Sequence, residues 1–215
     1  MKKIFLFILI ILSINLHAQR IRTFVGVGFY KHTDFNNSIF GSVNTGLEYK
    51  VINNFRPEIE IGFMYGTPET LTNYTPTGLA ESVFERTTSA INYSFCPKIY
   101  FGDQETSDMG VFIRPRYTYS RVFGNTELTK RNPSDLSKPI NEKKRASTWD
   151  QSFDIGIGVS VNFSEKYYHS ADFILYYNNI NLGDALNTID VSRTVNTNNT
   201  LGIGLIVYFG GKRKS

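Results

Sequence analysis

The segment Phe153-Asp-Ile-Gly-Ile-Gly-Val-Ser-Val-Asn-Phe163 alternates without a break. Phe153, Ile155, Ile157, Val159, Val161 and Phe163 are all apolar, whereas Asp154, Gly156, Gly158, Ser160 and Asn162 are all small or polar. A period of two belongs to a β-strand with one greasy face and one polar or tightly packed face. Eleven residues at about 3.3 Å each, tilted by roughly 45°, cross the hydrocarbon core of a bilayer.

The same parity recurs along the chain and predicts eight strands: Arg22–Tyr30, Ile39–Val51, Phe55–Tyr65, Phe84–Phe101, Met109–Phe123, Thr148–Phe163, Ser170–Leu182 and Thr197–Phe209. The seventh is the weakest, because Ile174 and Tyr176 fall on the otherwise polar side. The connections run long, short, long, short, and so on, with Gly124–Ser147 the longest and most charged. That rhythm predicts an all-β fold, an eight-stranded antiparallel up-and-down transmembrane β-barrel with long extracellular loops and short periplasmic turns. An even number of strands lets the sheet close and leaves no edge in lipid. A soluble β-protein alternates too, but with its apolar face inward; the mid-strand charges opposite the bulky apolar set argue against that inversion. Aromatic residues gather at strand ends, Phe29, Phe40, Tyr65, Phe84, Phe123, Trp149 and Tyr177 on the loop side and Tyr49, Phe55, Phe101, Phe163 and Phe209 on the turn side. Two such girdles suit the two interfaces of a membrane. Pro57, Pro97 and Pro115 lie on the apolar parity inside strands and predict bulges or strand ends there.

Residues 1–18 read separately. Lys2 and Lys3 precede the apolar run Ile4–Leu16, and small Ala18 is followed by Gln19, the pattern of a secretory signal peptide cleaved after Ala18. The barrel domain is then 19–215. The leader holds two of the 23 basic residues, leaving 21 against 19 acidic ones, so the sequence pI near 9.0 does not argue for nucleic acid. A single cysteine, Cys96, permits neither an internal disulfide nor a cysteine-based metal cluster.

On the inward parity stand Lys50, Arg56, Lys98, Arg114 and Arg116 against Glu48, Glu58, Glu60, Asp154 and Asp172, five of each sign. An eight-stranded barrel is just wide enough for side chains to fill it. A balanced set inside it predicts a salt-bridged, hydrogen-bonded filling. The alternative is a narrow polar channel for small solutes or ions.

With those residues placed, the chain resembles the small outer-membrane β-barrels common in Bacteroidota, the PorT-like or OmpX-like family. The likeness covers the whole mature chain. It is carried by the leader ending Ala18-Gln19, by Arg56-Pro57-Glu58 opening a strand, and by the Gly-rich last strand with Gly204, Val207 and Phe209. That strand is similar to the C-terminal signal read by the barrel assembly machinery, which the resemblance therefore implies as a partner during biogenesis. The family is defined by fold, and no catalytic residues or cofactors transfer from it.

The mature chain has two histidines. His32 lies near Asp34 and Ser38 in the first outer loop, which resembles the use of a His and a Ser at the rim by lipid A-modifying barrels; spacing alone is unspecific, and no catalytic, cofactor or metal site is expected. His169 is expected to be an interface residue in a periplasmic turn. The loop Gly124–Ser147 carries Lys130, Arg131, Lys138, Lys143, Lys144 and Arg145 against Glu127, Asp135 and Glu142. Lys130, Arg131, Lys143, Lys144 and Arg145, with Arg121 snorkelling from the lipid parity, are candidate contacts for lipopolysaccharide phosphates; the bland alternative is a solvated loop. The expected protein is a monomeric outer-membrane barrel in contact with lipid and lipopolysaccharide, with a structural or interaction role, its surface loops engaging a macromolecule or its periplasmic ends supporting an envelope machine.

Overall fold

The computed structural model describes residues 20–31, 39–66, 69–102, 108–135, 138–164, 166–189 and 194–211. The proposed leader and the His32, Asp34 and Ser38 cluster lie outside them. The strands are β1 (Ile21–Lys31), β2 (Ile39–Tyr49), β3 (Phe55–Gly66), β4 (Glu69–Tyr74), β5 (Ala80–Phe101), β6 (Met109–Lys130), β7 (Ile140–Asn162), β8 (Ser170–Asn178) and β9 (Thr200–Gly210), with one short helix, α1 (Asp184–Asn187). Every pairing is antiparallel. β1 pairs with both β2 and β9, and β3 closes onto β5, so eight strands form a ring and β4 flanks only the outer part of β5.

The ring is inside out. Along β1 every even residue from Arg22 to Tyr30 is buried, and the odd residues from Thr23 to Phe29 face outward. Leu175, Ile59 and Phe153 are more than 60% exposed, whereas Arg114, Lys98 and Glu58 are wholly buried. Such an arrangement is stable only where lipid covers the outside.

Three expectations are corrected. Gly124–Ser147 is mostly strand: β6 and β7 continue outward together through the pair Lys130↔Ile140, because alternating Thr, Glu and Lys residues sustain a ladder in water as well as in lipid. The connection between the predicted strands Phe55–Tyr65 and Phe84–Phe101 contains β4, and β5 begins at Ala80. The prolines make neither bulges nor strand ends. Pro57 pairs with Pro97, and the register Phe95↔Tyr117, Ile99↔Ile113 puts Pro97 level with Pro115. The β5–β6 ladder lapses at residues 96–98 and 114–116 without a shift of register, as expected when both residues of one hydrogen-bonded pair lack an N–H.

The girdles also lose two members. Phe40 is buried in the lumen opposite Gly66, and Phe84 shares the inward parity of buried Arg86. Ile174 and Tyr176, which spoil the alternation of β8, have the same explanation: they point inward over glycines. Ile174 lies opposite Gly158 and Gly204, and Tyr176 opposite Gly156 and Gly202. Phe24 opposite Gly46, Tyr30 opposite Gly202 and Phe112 opposite Gly158 repeat the device. A ring laid over a neighbouring strand's bare Cα fits a lumen too narrow for two side chains.

Candidate functional site

The charged lumen is built from residues two apart on β3 (Arg56, Glu58, Glu60) and on β6 (Arg114, Arg116), which strand parity points to the same side. Lys98 is its hub. Its ammonium lies 2.8 Å from Glu48, 2.9 Å from Glu58 and 2.8 Å from Asp172, carboxylates drawn from β2, β3 and β8. Arg114 donates through Nε to Glu58 at 2.7 Å and through Nη2 to Glu60 at 2.6 Å. Arg116 holds Asp154 at 2.9 Å and lies 3.6 Å from Glu60. Tyr208 donates its hydroxyl to Glu58 at 2.7 Å, and Arg56 reaches Glu48 at 3.8 Å.

Nine of the ten charges assigned inward are therefore buried. Lys50 is the exception: it stands one residue past β2 and is only half-buried at the turn end, because the β2–β3 ladder ends at Glu48↔Glu58. Arg22 takes its place, gripping Glu48 with two bonds of 2.8 and 2.9 Å and donating to Ser170 at 2.9 Å. The balance of five and five survives the exchange. Arg22 was legible, since it shares the parity of Gly26, Gly28 and Tyr30. A second missed pair, Arg86 with Glu69, is buried higher up; Arg86 shares the parity of Lys98, but Glu69 sits in a segment with no strand signal.

The outer mouth is closed by the β8–β9 connection. Ile180, Leu182, Ala185, Leu186 and Val195 are buried together with Ala90 and Val122 of the wall. Thr88 donates to the Leu182 carbonyl at 2.8 Å, and Asn187 pairs both its amide atoms with the Val195 backbone at 2.8 Å. Gly124 admits α1, since a Cβ there would lie 2.9 Å from the Leu186 nitrogen. Strand pairing of β8 stops at Asn178 because the chain turns in to make this plug; Asn179 N donates to Asp154 and Asn181 N to Asp150. Burial and nearby Asp150 raise the carboxyl pKa of Asp184 above its ordinary value.

The basic residues once assigned to a loop stand on the projecting β6–β7 sheet. Lys143 and Arg145 share the outward face with Arg121 and Trp149; Lys130 and Lys144 are on the other face, and Arg131 follows the end of β6. Lys143 is paired with Glu127 at 2.9 Å, and Lys130 with Glu142 at 3.9 Å. Arg121 lies over Trp149, 5.7 Å from its ring, and Trp149 stacks on Tyr119 at 4.6 Å. At the opposite end, His169 stacks on Tyr167 at 5.2 Å and meets Phe209 edge-on at 5.8 Å. Of the last-strand residues, Gly204 is inside against Tyr176, while Val207 and Phe209 face outward. Among the described residues no group of His, Cys, Asp or Glu is arranged to hold a metal.

A closed antiparallel ring with charges inside and apolar side chains outside defines a small, filled, membrane-spanning β-barrel. No protein-family model matches the chain, and no curated protein matches it. Among solved structures it is similar to Neisserial surface protein A, at 12% identity over 89% of this chain and 97% of that one, TM-score 0.49. It is also similar to Ail, the attachment invasion locus protein of Yersinia pestis (8%, 90% and 97%, TM-score 0.35), and to the N-terminal β-barrel domain of Pseudomonas aeruginosa OprF (12%, 88% and 97%, TM-score 0.28). The class therefore rests on the ring and its inverted faces, not on these scores.

Proposed function

We propose that the protein is an outer-membrane barrel with a structural or interaction role, whose outer rim engages lipopolysaccharide. The observation that carries this is Arg121 laid over Trp149, its strand partner and the ring that stacks on Tyr119, with Arg145 on the same outward face four residues further from the membrane. An interfacial indole fixes the depth of the bilayer, and a guanidinium laid over it sits at headgroup level, where phosphates accept charge-assisted bonds. The apolar outer belt and the signal-peptide pattern of residues 1–18 support export to that membrane. Membership of the PorT-like or OmpX-like barrels, assembly through the signal at Gly204, Val207 and Phe209, and a monomeric state belong to the same proposal. So does the absence of catalysis.

The test is binding of the folded barrel to bilayers with and without lipopolysaccharide. Arg121→Gln with Arg145→Gln removes two charge-assisted contacts, each worth roughly 1 kcal/mol or more at an exposed site, so binding should weaken by about tenfold or more and lose part of its salt dependence. Unchanged binding would sink the assignment.

A further inference from the structure

The lipid-facing side of β6 and β7 grades in polarity row by row. The row Arg121↔Trp149 is followed, toward the turn end, by Tyr119↔Gln151 and then by Tyr117↔Phe153. Arg121 lies between two rings, 5.4 Å from Phe123 and 5.7 Å from Trp149, and has no carboxylate partner among the described residues. Gln151 is the anomaly. It is a carboxamide exposed on the outward face, between Trp149 and Phe153, which are 52% and 62% exposed. The Tyr117 hydroxyl crosses one row to donate to Gln151 Oε1 at 3.1 Å. That bond uses the acceptor of the carboxamide and leaves Nε2, with its two N–H donors, without a protein partner among the described residues.

A donor turned toward hydrocarbon without an acceptor is costly. Lipid offers acceptors just beneath its phosphates, on the acyl carbonyls. Two residues along a strand rise about 6.6 Å, so Gln151 stands one such step below Trp149 and the guanidinium laid over it. A phosphorylated, acylated glucosamine carries its phosphate and an acyl carbonyl on neighbouring carbons of the sugar, a separation of similar size. We propose that Gln151 donates from Nε2 to an acyl carbonyl of the lipid A part of lipopolysaccharide, on the same molecule whose phosphate Arg121 holds, with the acyl chain running down past Phe153. This rests on the reading of the rim as a lipopolysaccharide site and adds a residue that tells an acylated phosphosugar from a free phosphate. Tyr117 is a positioning residue, since its bond orders the carboxamide before the ligand arrives. Arg145, four residues beyond Trp149 on the same face, favours lipopolysaccharide over a glycerophospholipid, because it meets anionic groups that stand above the bilayer surface.

Native mass spectrometry of the folded barrel, titrated with rough lipopolysaccharide or with phosphatidylglycerol, tests this. Lipopolysaccharide should bind at least about tenfold more tightly than phosphatidylglycerol, and equal affinities would overturn the choice of lipid. Gln151→Leu removes the donor at similar size and should weaken lipopolysaccharide binding by about threefold to tenfold, the range of one hydrogen bond. An unchanged affinity would overturn the carbonyl contact. Gln151→Glu keeps the bond from Tyr117 and replaces the donor by a negative acceptor, so its loss should exceed that of Gln151→Leu; a smaller loss would overturn the donor role. Tyr117→Phe leaves the carboxamide present but loose and should cost less than either. Because these side chains are exposed, none of the three variants should move the temperature at which unboiled gel mobility is lost, which separates binding from folding. Arg121→Gln with Arg145→Gln serves as the reference. If that variant loses binding and Gln151→Leu does not, the Gln151 contact falls alone; if neither loses binding, the lipopolysaccharide assignment falls with it.

Discussion

Arg114 on β6 reaches past β5 to donate to Glu58 on β3, at 2.7 Å from Nε to Oε2. This bond skips a strand, and it does so beside the row Pro57, Pro97 and Pro115, where the β5–β6 ladder has no backbone hydrogen bonds to give. Each proline stands between two buried inward residues, Arg56 and Glu58, Cys96 and Lys98, Arg114 and Arg116, and all but Cys96 belong to the network. The ion pairs hold the wall where the ladder lapses.

Arg114→Met leaves Glu58 and Glu60 buried without their guanidinium. Removing one partner of a buried pair costs about 3–5 kcal/mol, so the gel mobility of unboiled protein should convert to that of boiled protein at a clearly lower temperature. Lys143→Gln, which breaks an exposed pair on the projecting sheet, should change that midpoint by the equivalent of about 0–1 kcal/mol. Equal shifts would contradict the difference in burial.

Pro97→Val with Pro115→Val restores two N–H groups at a position where each faces the other's carbonyl. Hydrogen exchange should find both new amides protected to the level of the neighbouring Phe95 and Ile113 amides. Fast exchange at either would mean that the two strands are not in ladder register at this row.

Gly158→Val tests the glycine–aromatic pairs. A Cβ at 158 would lie 2.6 Å from Phe112 Cζ and also press on the Phe173 carbonyl oxygen. Overpacking of this kind costs about 1–3 kcal/mol. The companion Phe112→Leu should recover part of the loss, and no recovery would exclude that contact as the cause.

A lumen filled by ion pairs and closed by an apolar plug should be electrically silent. Single-channel recording of the wild-type barrel should show no steps, and replacing residues 183–196 by a short Gly-Ser linker should introduce noise without a fixed unitary conductance. Regular steps from the wild type would revive the narrow channel.

The raised carboxyl of Asp184 makes the plug pH-sensitive in a stated direction. A folded-state value above the unfolded one means that the native protein holds its proton more tightly, so ionisation above that value costs stability and the cost disappears below the unfolded value of about 3.9. Asp184→Asn should therefore protect the plug from protease at neutral pH, with the advantage shrinking as the pH falls through this window. A constant advantage at all pH values would mean that the ionisation of Asp184, opposed by burial and by Asp150, is not what weakens the plug.

Parity alone located all eight ring strands and nine of the ten inward charges, because in a one-layer wall the face of a residue is set by whether its number is odd or even. It failed where that rule has no purchase. Phe40, Ile174 and Tyr176 stand on the inward parity but are too large and apolar for a polar lumen until the register places a glycine opposite each, and register is a relation between strands distant in sequence. Lys50 and Arg22 have similar claims on the lumen; the point where the β2–β3 ladder stops decided between them. The projecting β6–β7 sheet was hidden by its charge, since hydrophilic strands in water leave no hydrophobic signal.

The sequence by itself determined a closed membrane barrel with a balanced, polar interior, since period-two alternation and loop rhythm are local and each strand carries them independently. Only the tertiary structure decided which carboxylate meets which cation, which glycines receive rings, and that Ile180, Leu182 and Leu186 turn inward to seal the mouth. Those choices depend on distances across the ring, between residues such as Lys98 and Asp172 that the chain separates by two whole strands, β6 and β7.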